Sequence, residues 1–153
     1  MCTHGLHIVR TCSLTLNGGT ILVVPGGKGA REPSKERSEV MTFLRTAHTG
    51  YQFIVSVCTG TFLLHEAGLL TNKVCTTHTL FREELRKKGC TVLPHRVVHD
   101  GTLITSAGVT SGIDASLYVV TVVFGTHIAE KIIKRIEYPF SVEEIGKQVH
   151  IIP

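Results

Sequence analysis

The stretch that decides the fold class is Phe53-Ile54-Val55-Ser56-Val57-Cys58-Thr59-Gly60-Thr61-Phe62-Leu63-Leu64. An apolar, β-branched run ends at a cysteine, and an apolar helical pattern begins directly after Gly60. The pattern predicts a buried strand, a very tight turn and a helix, with Cys58 projecting from the sheet edge as a nucleophile would. The free amides and the positive end of the helix favour a thiolate. The stretch alone leaves open a second reading, in which Cys58 is a buried, unreactive thiol.

The composition indicates one globular domain. The chain has 153 residues, of which 42% are hydrophobic and 18% charged, enough to bury a single core. The absence of Trp and a net charge of only +4 argue against a nucleic-acid partner. The basic residues are instead expected on solvated helix faces, at Lys87-Lys88 and at Lys131, Lys134 and Arg135.

The cysteines predict a reducing compartment. There are five, an odd number, with no C-x-x-C pair. With no signal peptide, this favours free thiols and a cytoplasmic location, and no apolar run reaches the ~20 residues of a membrane span. Residues 1–19 form an atypical N-terminal segment in which residues 6–9 could be an edge strand. Its two histidines and two cysteines match no common zinc framework, so no metal is expected.

The remaining pattern alternates strands and helices. Ile21-Leu22-Val23-Val24 predicts a strand buried on both faces, and the loop Pro25-Gly26-Gly27-Lys28-Gly29 offers bare amides at its carboxyl end. This loop is not a phosphate loop, because Lys28 is followed by Gly29. Helices are expected over residues 34–48 and 79–88, and short strands over residues 74–76 and 91–93.

The C-terminal third predicts a hairpin and a long helical region. Asp100-Gly101 predicts a two-residue hairpin loop, and His95 and His99 beside it are expected at the surface. Residues 110–136 predict a helix that Gly125 could divide, with a core stripe of Ile113, Leu117, Val120 and Phe124. A weak helix over residues 142–148 ends the chain. The whole predicts a mostly parallel α/β sandwich.

Four ordered motifs together resemble the ThiJ/PfpI superfamily, the class I glutamine amidotransferase-like fold. They are Leu22-Val23-Val24-Pro25-Gly26-Gly27, Ser56-Val57-Cys58-Thr59-Gly60, Thr76-Thr77-His78, and Asp100-Gly101-Thr102-Leu103-Ile104-Thr105-Ser106-Ala107-Gly108 with Gly112-Ile113-Asp114. The branch that contains isonitrile hydratase and the ligand-sensing domains of AraC-type regulators is the most similar. The resemblance runs over residues 20–138. It implies a flavodoxin-like domain over residues 20–153 without the family's first strand and helix.

The resemblance also implies a site. Cys58 would be the nucleophile, and the amides of Gly27 and Thr59 would form an oxyanion site, with the Thr59 hydroxyl as a further donor. Gly26, Ala107 and Gly108 would complete the substrate-binding surface. Thr59 stands where peptidase-like branches usually carry His, which makes peptidase chemistry the weaker reading. No cofactor is implied.

The role of His78 stays open between a catalytic base and a hydrogen-bonded structural residue.

Two departures from the family pattern leave two functions open. The family's first strand carries an acidic residue that faces the nucleophile, whereas no Asp or Glu precedes Glu32 here, and Thr79 replaces an aromatic residue. The first hypothesis is a cysteine-dependent lyase or hydrolase acting on a small electrophile. The second is a non-catalytic small-molecule or redox-sensing protein, a degenerate or truncated paralogue. Either way the resemblance implies a small-molecule partner and, since dimers are usual in the family, a second copy of the chain. A missing first strand would expose an apolar sheet edge unless a partner subunit covers it.

Overall fold

The computed structural model describes residues 19–32 and 37–153, together with Val9, Ser13 and Leu14. The strands are β1 (Ile21–Val24), β2 (Phe53–Val57), β3 (Val74–Cys75), β4 (Thr91–Val92), β5 (Val97–Asp100), β6 (Leu103–Ser106) and β7 (Val149–Ile152). The helices are α1 (Arg37–Ala47), α2 (Gly60–Glu66), α3 (Arg82–Lys87), α4 (Ser111–Phe124), α5 (Thr126–Arg135) and α6 (Val142–Lys147). Short 3-10 turns cover Lys28–Ala30 and Thr79–Phe81.

The main sheet has the strand order β1-β2-β6-β5-β7. Strands β1, β2 and β6 are parallel, β5 joins β6 as an antiparallel hairpin, and β7 is parallel to β5. Strands β3 and β4 pair in parallel in a small separate sheet. The mostly parallel α/β architecture predicted from the sequence is confirmed.

Helices cover both faces of the sheet, and β2 lies between them. Alternate residues of a strand point to opposite faces, so Ile54 joins one core and its neighbours Phe53 and Val55 join the other. The core around Ile54 includes residues of α1 and α2, namely Met41, Leu44, Phe62 and Leu64. The second core includes Ile104 of β6 with Ala115 and Val119 of α4. Burial on both faces is the reason why β2 is a continuous apolar run rather than an alternating one.

The hairpin loop lies one residue later than the sequence predicts. Asp100 pairs with Leu103, so it belongs to β5 and the two loop residues are Gly101 and Thr102. The Asp100 carboxylate accepts hydrogen bonds from Lys73 Nζ at 2.7 Å and from the Val74 amide at 2.8 Å. These contacts tie the hairpin to β3, which explains why a typical turn residue here ends a strand.

The predicted core stripe of the long helical region is wrong in two positions. Ile113 and Phe124 are 41% and 62% exposed. The buried face of α4 includes Asp114, Ala115, Leu117 and Val119 instead. A prediction from apolar spacing leaves out Asp114, although its burial orients the helix. The division at Gly125 is confirmed, because Gly125 has φ 87° between α4 and α5.

The C-terminal residues add a strand that the sequence did not predict. The helix expected over residues 142–148 is α6, and the four residues of β7 follow it directly. Val149–Ile152 is too short to be recognised by alternation, and its position depends on pairing with β5 across the sheet.

The expectation that His95 and His99 lie at the surface is wrong, because both are half-buried. His99 Nδ1 lies 2.7 Å from the Tyr118 hydroxyl, and the His95 ring stacks on that of His150 with centroids 4.5 Å apart.

Some predicted elements fall partly or wholly outside the described residues. Residues 6–8 of the strand predicted over 6–9 lie there, as do the N-terminal Cys and His considered as zinc ligands and the first residues of the helix expected over 34–48. The helix expected over residues 79–88 begins as a 3-10 turn and continues as α3. Within the described residues, no helix combines the length and hydrophobicity that crossing a membrane requires.

Candidate active site at the strand–helix elbow

Cys58 lies directly after β2 in a left-handed backbone conformation, with φ 59°. For a residue with a side chain this conformation costs about 1–2 kcal/mol, so the surroundings must hold it in place. The Cys58 amide donates to the Ser106 carbonyl at 3.0 Å, and the Cys58 carbonyl accepts from the Thr77 hydroxyl at 2.8 Å. The thiol is half-buried. The predicted strand, tight turn and helix are confirmed, although α2 has only 7 residues, which limits the dipole expected to favour a thiolate.

Thr59 joins the elbow to the glycine loop after β1. Its Oγ1 accepts from the Gly27 amide at 2.9 Å and donates to the Gly27 carbonyl, also at 2.9 Å. Gly27 has φ 127° and ψ 177°, an extended conformation with positive φ that presents its amide and carbonyl on one side. The Gly27 amide, expected as an oxyanion donor, is therefore hydrogen-bonded to Thr59. The Thr59 amide makes no backbone hydrogen bond within the described residues.

The glycine loop and the elbow approach so closely that only glycine fits at two positions. A Cβ on Gly26 would lie 2.7 Å from the Thr59 nitrogen and 2.8 Å from the Val57 carbonyl oxygen. A Cβ on Gly60 would lie 2.2 Å from the Val24 carbonyl oxygen. Both clashes are with backbone atoms, which cannot rotate away. The close approach fixes the loop against Thr59.

His78 lies at the start of the 3-10 turn that precedes α3. Its Nδ1 accepts from the Leu80 amide at 3.3 Å, and its ring packs against that of Phe81 with centroids 5.5 Å apart. A Cβ built on Gly108 would lie 3.6 Å from His78 Cδ2, so the ring lies beside Gly108. In the part of the chain that the structure describes, no hydrogen bond joins the Cys58 thiol to His78. The Leu80 bond leaves Nε2 as the ring nitrogen available for proton transfer.

Ala107 and Gly108 follow β6, the strand next to β2. Val57 pairs with Ser106, so Cys58 and Ala107 are the first residues after two adjacent parallel strands. Ala107 is buried and its amide donates to the Arg96 carbonyl at 2.8 Å. Gly108 accepts from the Ser111 amide at 2.9 Å. The glycine loop, the elbow and the Ala107–Gly108 turn thus follow the carboxyl ends of the parallel strands β1, β2 and β6. Ligands of α/β proteins bind at this end of the sheet.

A network of buried hydroxyls beneath the elbow was not predicted from the sequence. Ser56 Oγ lies 2.8 Å from Thr61 Oγ1, which donates to the Thr76 carbonyl at 2.9 Å. The Thr76 amide donates to Thr105 Oγ1 at 2.9 Å. These side chains are at most 1% exposed. Serine and threonine inside otherwise apolar strands were the available signal, because a buried hydroxyl needs a partner.

A second unpredicted group of polar residues holds the start of α4. Arg96 Nε donates to Asp114 Oδ2 at 2.7 Å, and the Tyr138 hydroxyl donates to Asp114 Oδ1 at 2.6 Å. Asp114 is only 1% exposed. Burial, together with the hydrogen bond and charge of Asp114, raises the pKa of Tyr138 to about 12. The network binds the loop before β5 and the residues after α5 to the helix that follows Gly108.

Two further thiols are less suited to nucleophilic chemistry. Burial, with smaller contributions from Cys90 and Asp100, raises the pKa of Cys75 to about 12. Burial also raises the pKa of Cys90, against the opposing effect of Lys88. Cys90 Sγ lies 3.2 Å from His65 Nδ1. Burial and then the Lys88 charge lower the pKa of His65, outweighing Glu66, so both partners are favoured in their neutral forms. The described residues contain no group of three metal-binding side chains.

Comparison with known proteins identifies a family and several relatives. The model of the DJ-1/PfpI family matches residues 1–122. The isonitrile hydratase of Pseudomonas putida is 36% identical over 118 residues, which cover 77% of this chain and 51% of that protein. A THiJ/PfpI family protein of Pseudomonas syringae superposes with a TM-score of 0.70 at 34% identity, covering 80% of this chain and 50% of that one.

An AraC family transcriptional regulator of Pseudomonas putida shares the fold. It has a TM-score of 0.65 at 24% identity and covers 76% of this chain and 63% of that one. The chain spans about half the length of the hydratase and of the P. syringae protein. The family resemblance drawn from the four sequence motifs is confirmed.

Proposed function

The chain belongs to the DJ-1/PfpI family, and on that premise we propose that it is a cysteine-dependent lyase or hydrolase that adds water to a small electrophile. The observation that carries the proposal is Cys58, held at φ 59° where β2 meets α2 and beside the glycine loop. A nucleophile needs a fixed, partly exposed position of this kind. The isonitrile hydratase relative supports isonitriles as the first substrate class to test.

The proposed reaction passes through a covalent adduct on Cys58. The thiolate sulfur attacks the terminal carbon of R–N≡C, an S–C bond forms, and a proton delivered to that carbon gives a thioimidate, R–N=CH–S–Cys58. Water then adds its hydroxyl to the same carbon and one proton to the nitrogen. The hydroxyl proton returns to the proton carrier as the C–S bond breaks and sulfur leaves as the thiolate. The product is the formamide R–NH–CHO, so one water is consumed and the enzyme is regenerated.

Two donors and one proton carrier are assigned to this reaction. The Thr59 amide, which makes no backbone hydrogen bond within the described residues, stabilises the negative charge that develops on the substrate, and the Gly27 amide joins it when the Thr59 hydroxyl releases it. His78 is proposed to carry the proton through Nε2, because its Nδ1 already accepts from Leu80. Gly26, Ala107 and Gly108 are proposed to form the adjoining substrate surface.

Two observations favour a non-catalytic sensor as the second candidate. The Gly27 amide is occupied by Thr59, and the Cys58 thiol has no hydrogen-bonded acid or base among the described residues. A protein that binds an electrophile or oxidant covalently needs only the thiol, whereas turnover needs the proton path as well. Turnover therefore distinguishes the two candidates.

The test measures reactivity and turnover on the same protein. Iodoacetamide alkylation is followed at each cysteine by peptide mass spectrometry around neutral pH, and formamide production from an alkyl isonitrile is followed by NMR. We expect Cys58 to react fastest, with Cys75 slowest because of its raised pKa. Cys58→Ser should abolish formamide production, and the matched variant Cys90→Ser should retain it.

The outcomes separate the candidates. Fast Cys58 alkylation without formamide from several isonitriles, and without hydration or hydrolysis products from aldehydes or amides, would favour the sensor. Cys58 alkylation no faster than that of Cys90 would contradict both candidates.

The compartment and the assembly stay part of the proposal. Free thiols at Cys58, Cys75 and Cys90 support a reducing, cytoplasmic compartment. Strand β1 forms one edge of the described sheet, and its Val23 is 58% exposed, which supports the expected homodimer. Measuring the mass of the protein in solution tests whether it forms a dimer.

A further inference from the structure

We propose that Thr77 is a positioning residue for Cys58: its hydroxyl holds the Cys58 carbonyl and thereby the left-handed backbone from which the thiol projects. The inference rests on the proposed role of Cys58 as the nucleophile. Thr77 Oγ1 donates to the Cys58 carbonyl at 2.8 Å across 19 positions of sequence. Thr77 is fully buried, with a relative exposure of 0%. Its hydroxyl is therefore committed to this bond in a site from which water is excluded.

Within the described residues, Thr77 is the principal donor to this carbonyl. Thr61 Oγ1 also lies near it, but at 3.4 Å, and the single Thr61 proton has a shorter path to the Thr76 carbonyl at 2.9 Å. If Thr77 loses its hydroxyl, a buried carbonyl is left without a good partner. The peptide after Cys58 can then rotate, and the strained φ of 59° relaxes toward the ordinary negative range.

The segment that carries Thr77 is itself firmly held. The Thr76 amide donates to Thr105 Oγ1 at 2.9 Å, and the Thr76 hydroxyl contacts the carbonyls of Leu93 and His95 at 2.9 and 3.0 Å. His78 follows directly. The Thr77 bond thus fixes the distance between two chain segments, one carrying the thiol and the other the proposed proton carrier. A contact that only stabilised the fold would not be required at the nucleophile itself.

The test compares two neighbouring threonines that are equally buried. In Thr77→Val the Cys58 bond is lost at nearly unchanged volume. Thr76→Val instead removes a buried hydroxyl that bonds Leu93 and His95, while the Thr76 amide keeps its bond to Thr105 and continues to hold the segment. The rate of Cys58 alkylation by iodoacetamide is measured against pH by peptide mass, together with the melting temperature. We expect Thr77→Val to slow the alkylation of Cys58 about tenfold, as loss of one buried hydrogen bond allows, and so to change the pH profile of that rate. Thr77→Ser should restore the rate to within about twofold.

Each outcome decides a separate point. A purely structural role predicts that both valine variants lower the melting temperature and leave the Cys58 profile unchanged, and this result overturns the inference. An equal change of the profile in Thr76→Val overturns it as well. If Thr77→Val does not fold, Thr77→Cys, a weaker donor of similar size, should give an intermediate rate, and a wild-type rate in that variant overturns the inference. A wild-type Cys58 no faster than Cys90 instead overturns the proposed function itself.

Discussion

The side-chain oxygen of Thr59 lies 2.9 Å from the amide nitrogen of Gly27 and 2.9 Å from its carbonyl oxygen. One hydroxyl thus satisfies both backbone groups of a residue 32 positions earlier, as a neighbouring strand would. Thr59 is 3% exposed, so water cannot replace it. The relationship sets the position of the glycine loop over Cys58, and it also sets whether the Gly27 amide is available to a substrate.

Removing the Thr59 hydroxyl should loosen the loop. In Thr59→Val both hydrogen bonds are lost, and we expect the free energy of unfolding to fall by about 1–3 kcal/mol, the net worth of two such bonds. Thr59→Ser keeps the hydroxyl and should recover most of this loss. Urea unfolding measures the effect. Equal stability of the two variants would show that the hydroxyl bonds contribute nothing.

The glycine loop offers a matched pair of substitutions. The added methyl of Gly26→Ala would lie 2.7 Å from the Thr59 nitrogen, and relief of such overlap typically costs about 1–3 kcal/mol. Gly29→Ala meets no atom within 4 Å and needs no positive φ, so its stability should change by less than about 0.5 kcal/mol. Formamide production should fall in the first variant only.

Thermal unfolding and the NMR assay of isonitrile hydration test this pair. Wild-type activity in a folded Gly26→Ala protein would contradict the role given to the loop.

The elbow could be predicted because its signals are local. The apolar run of β2, the cysteine and Gly60 follow one another within eight residues, Phe53 to Gly60. The strand and the turn can therefore be predicted from neighbouring positions alone. The partners of the site residues could not be predicted, because they are separated by long stretches of sequence. Thr59 meets Gly27 across 32 positions, and Thr77 meets Cys58 across 19. No periodicity indicates which hydroxyl bonds which carbonyl.

Buried charge was the other limit on prediction from the sequence. Asp114 falls within a helix read by its apolar spacing, yet it is buried against Arg96 and displaces Ile113 from the core. Asp100 has the sequence signature of a turn residue, but its bonds to Lys73 and Val74 place it in a strand. Hydrophobic patterns predict elements well and the contacts of paired polar residues poorly.

The Asp100 carboxylate should contribute stability that the protein loses at acidic pH. Burial acts to raise its pKa, but the Lys73 and Val74 hydrogen bonds and the Lys73 charge outweigh burial and lower it. The folded-state pKa therefore lies below the unfolded value of about 3.9. The resulting stability is present above that value and is lost as the pH falls through the folded pKa.

Asp100→Asn tests this dependence by urea unfolding over a series of pH values. At neutral pH we expect a loss of about 1–3 kcal/mol, since the bonds involve a charged group, and a weaker loss of stability on acidification than in the wild-type protein. Lys147→Ala, which removes the exposed pair with Glu143, is the control. It should cost less than about 0.5 kcal/mol. An unchanged acid dependence in Asp100→Asn would contradict the assignment.

Tyr138 should give the matching effect at alkaline pH. Burial, with the hydrogen bond and charge of Asp114, raises its pKa to about 12, above the ordinary value of about 10. Its stabilising contribution is present below the unfolded pKa and is lost as the pH rises through the folded value. At neutral pH, Tyr138→Phe should lower the free energy of unfolding by about 1–2 kcal/mol. The variant should lack the last tyrosine to ionise in an ultraviolet titration. It should also lose less stability than the wild-type protein at alkaline pH. Cys58 alkylation should be unchanged, because Tyr138 acts on α4 rather than on the elbow. A change in the Cys58 rate would mean that the Asp114 network also supports the nucleophile.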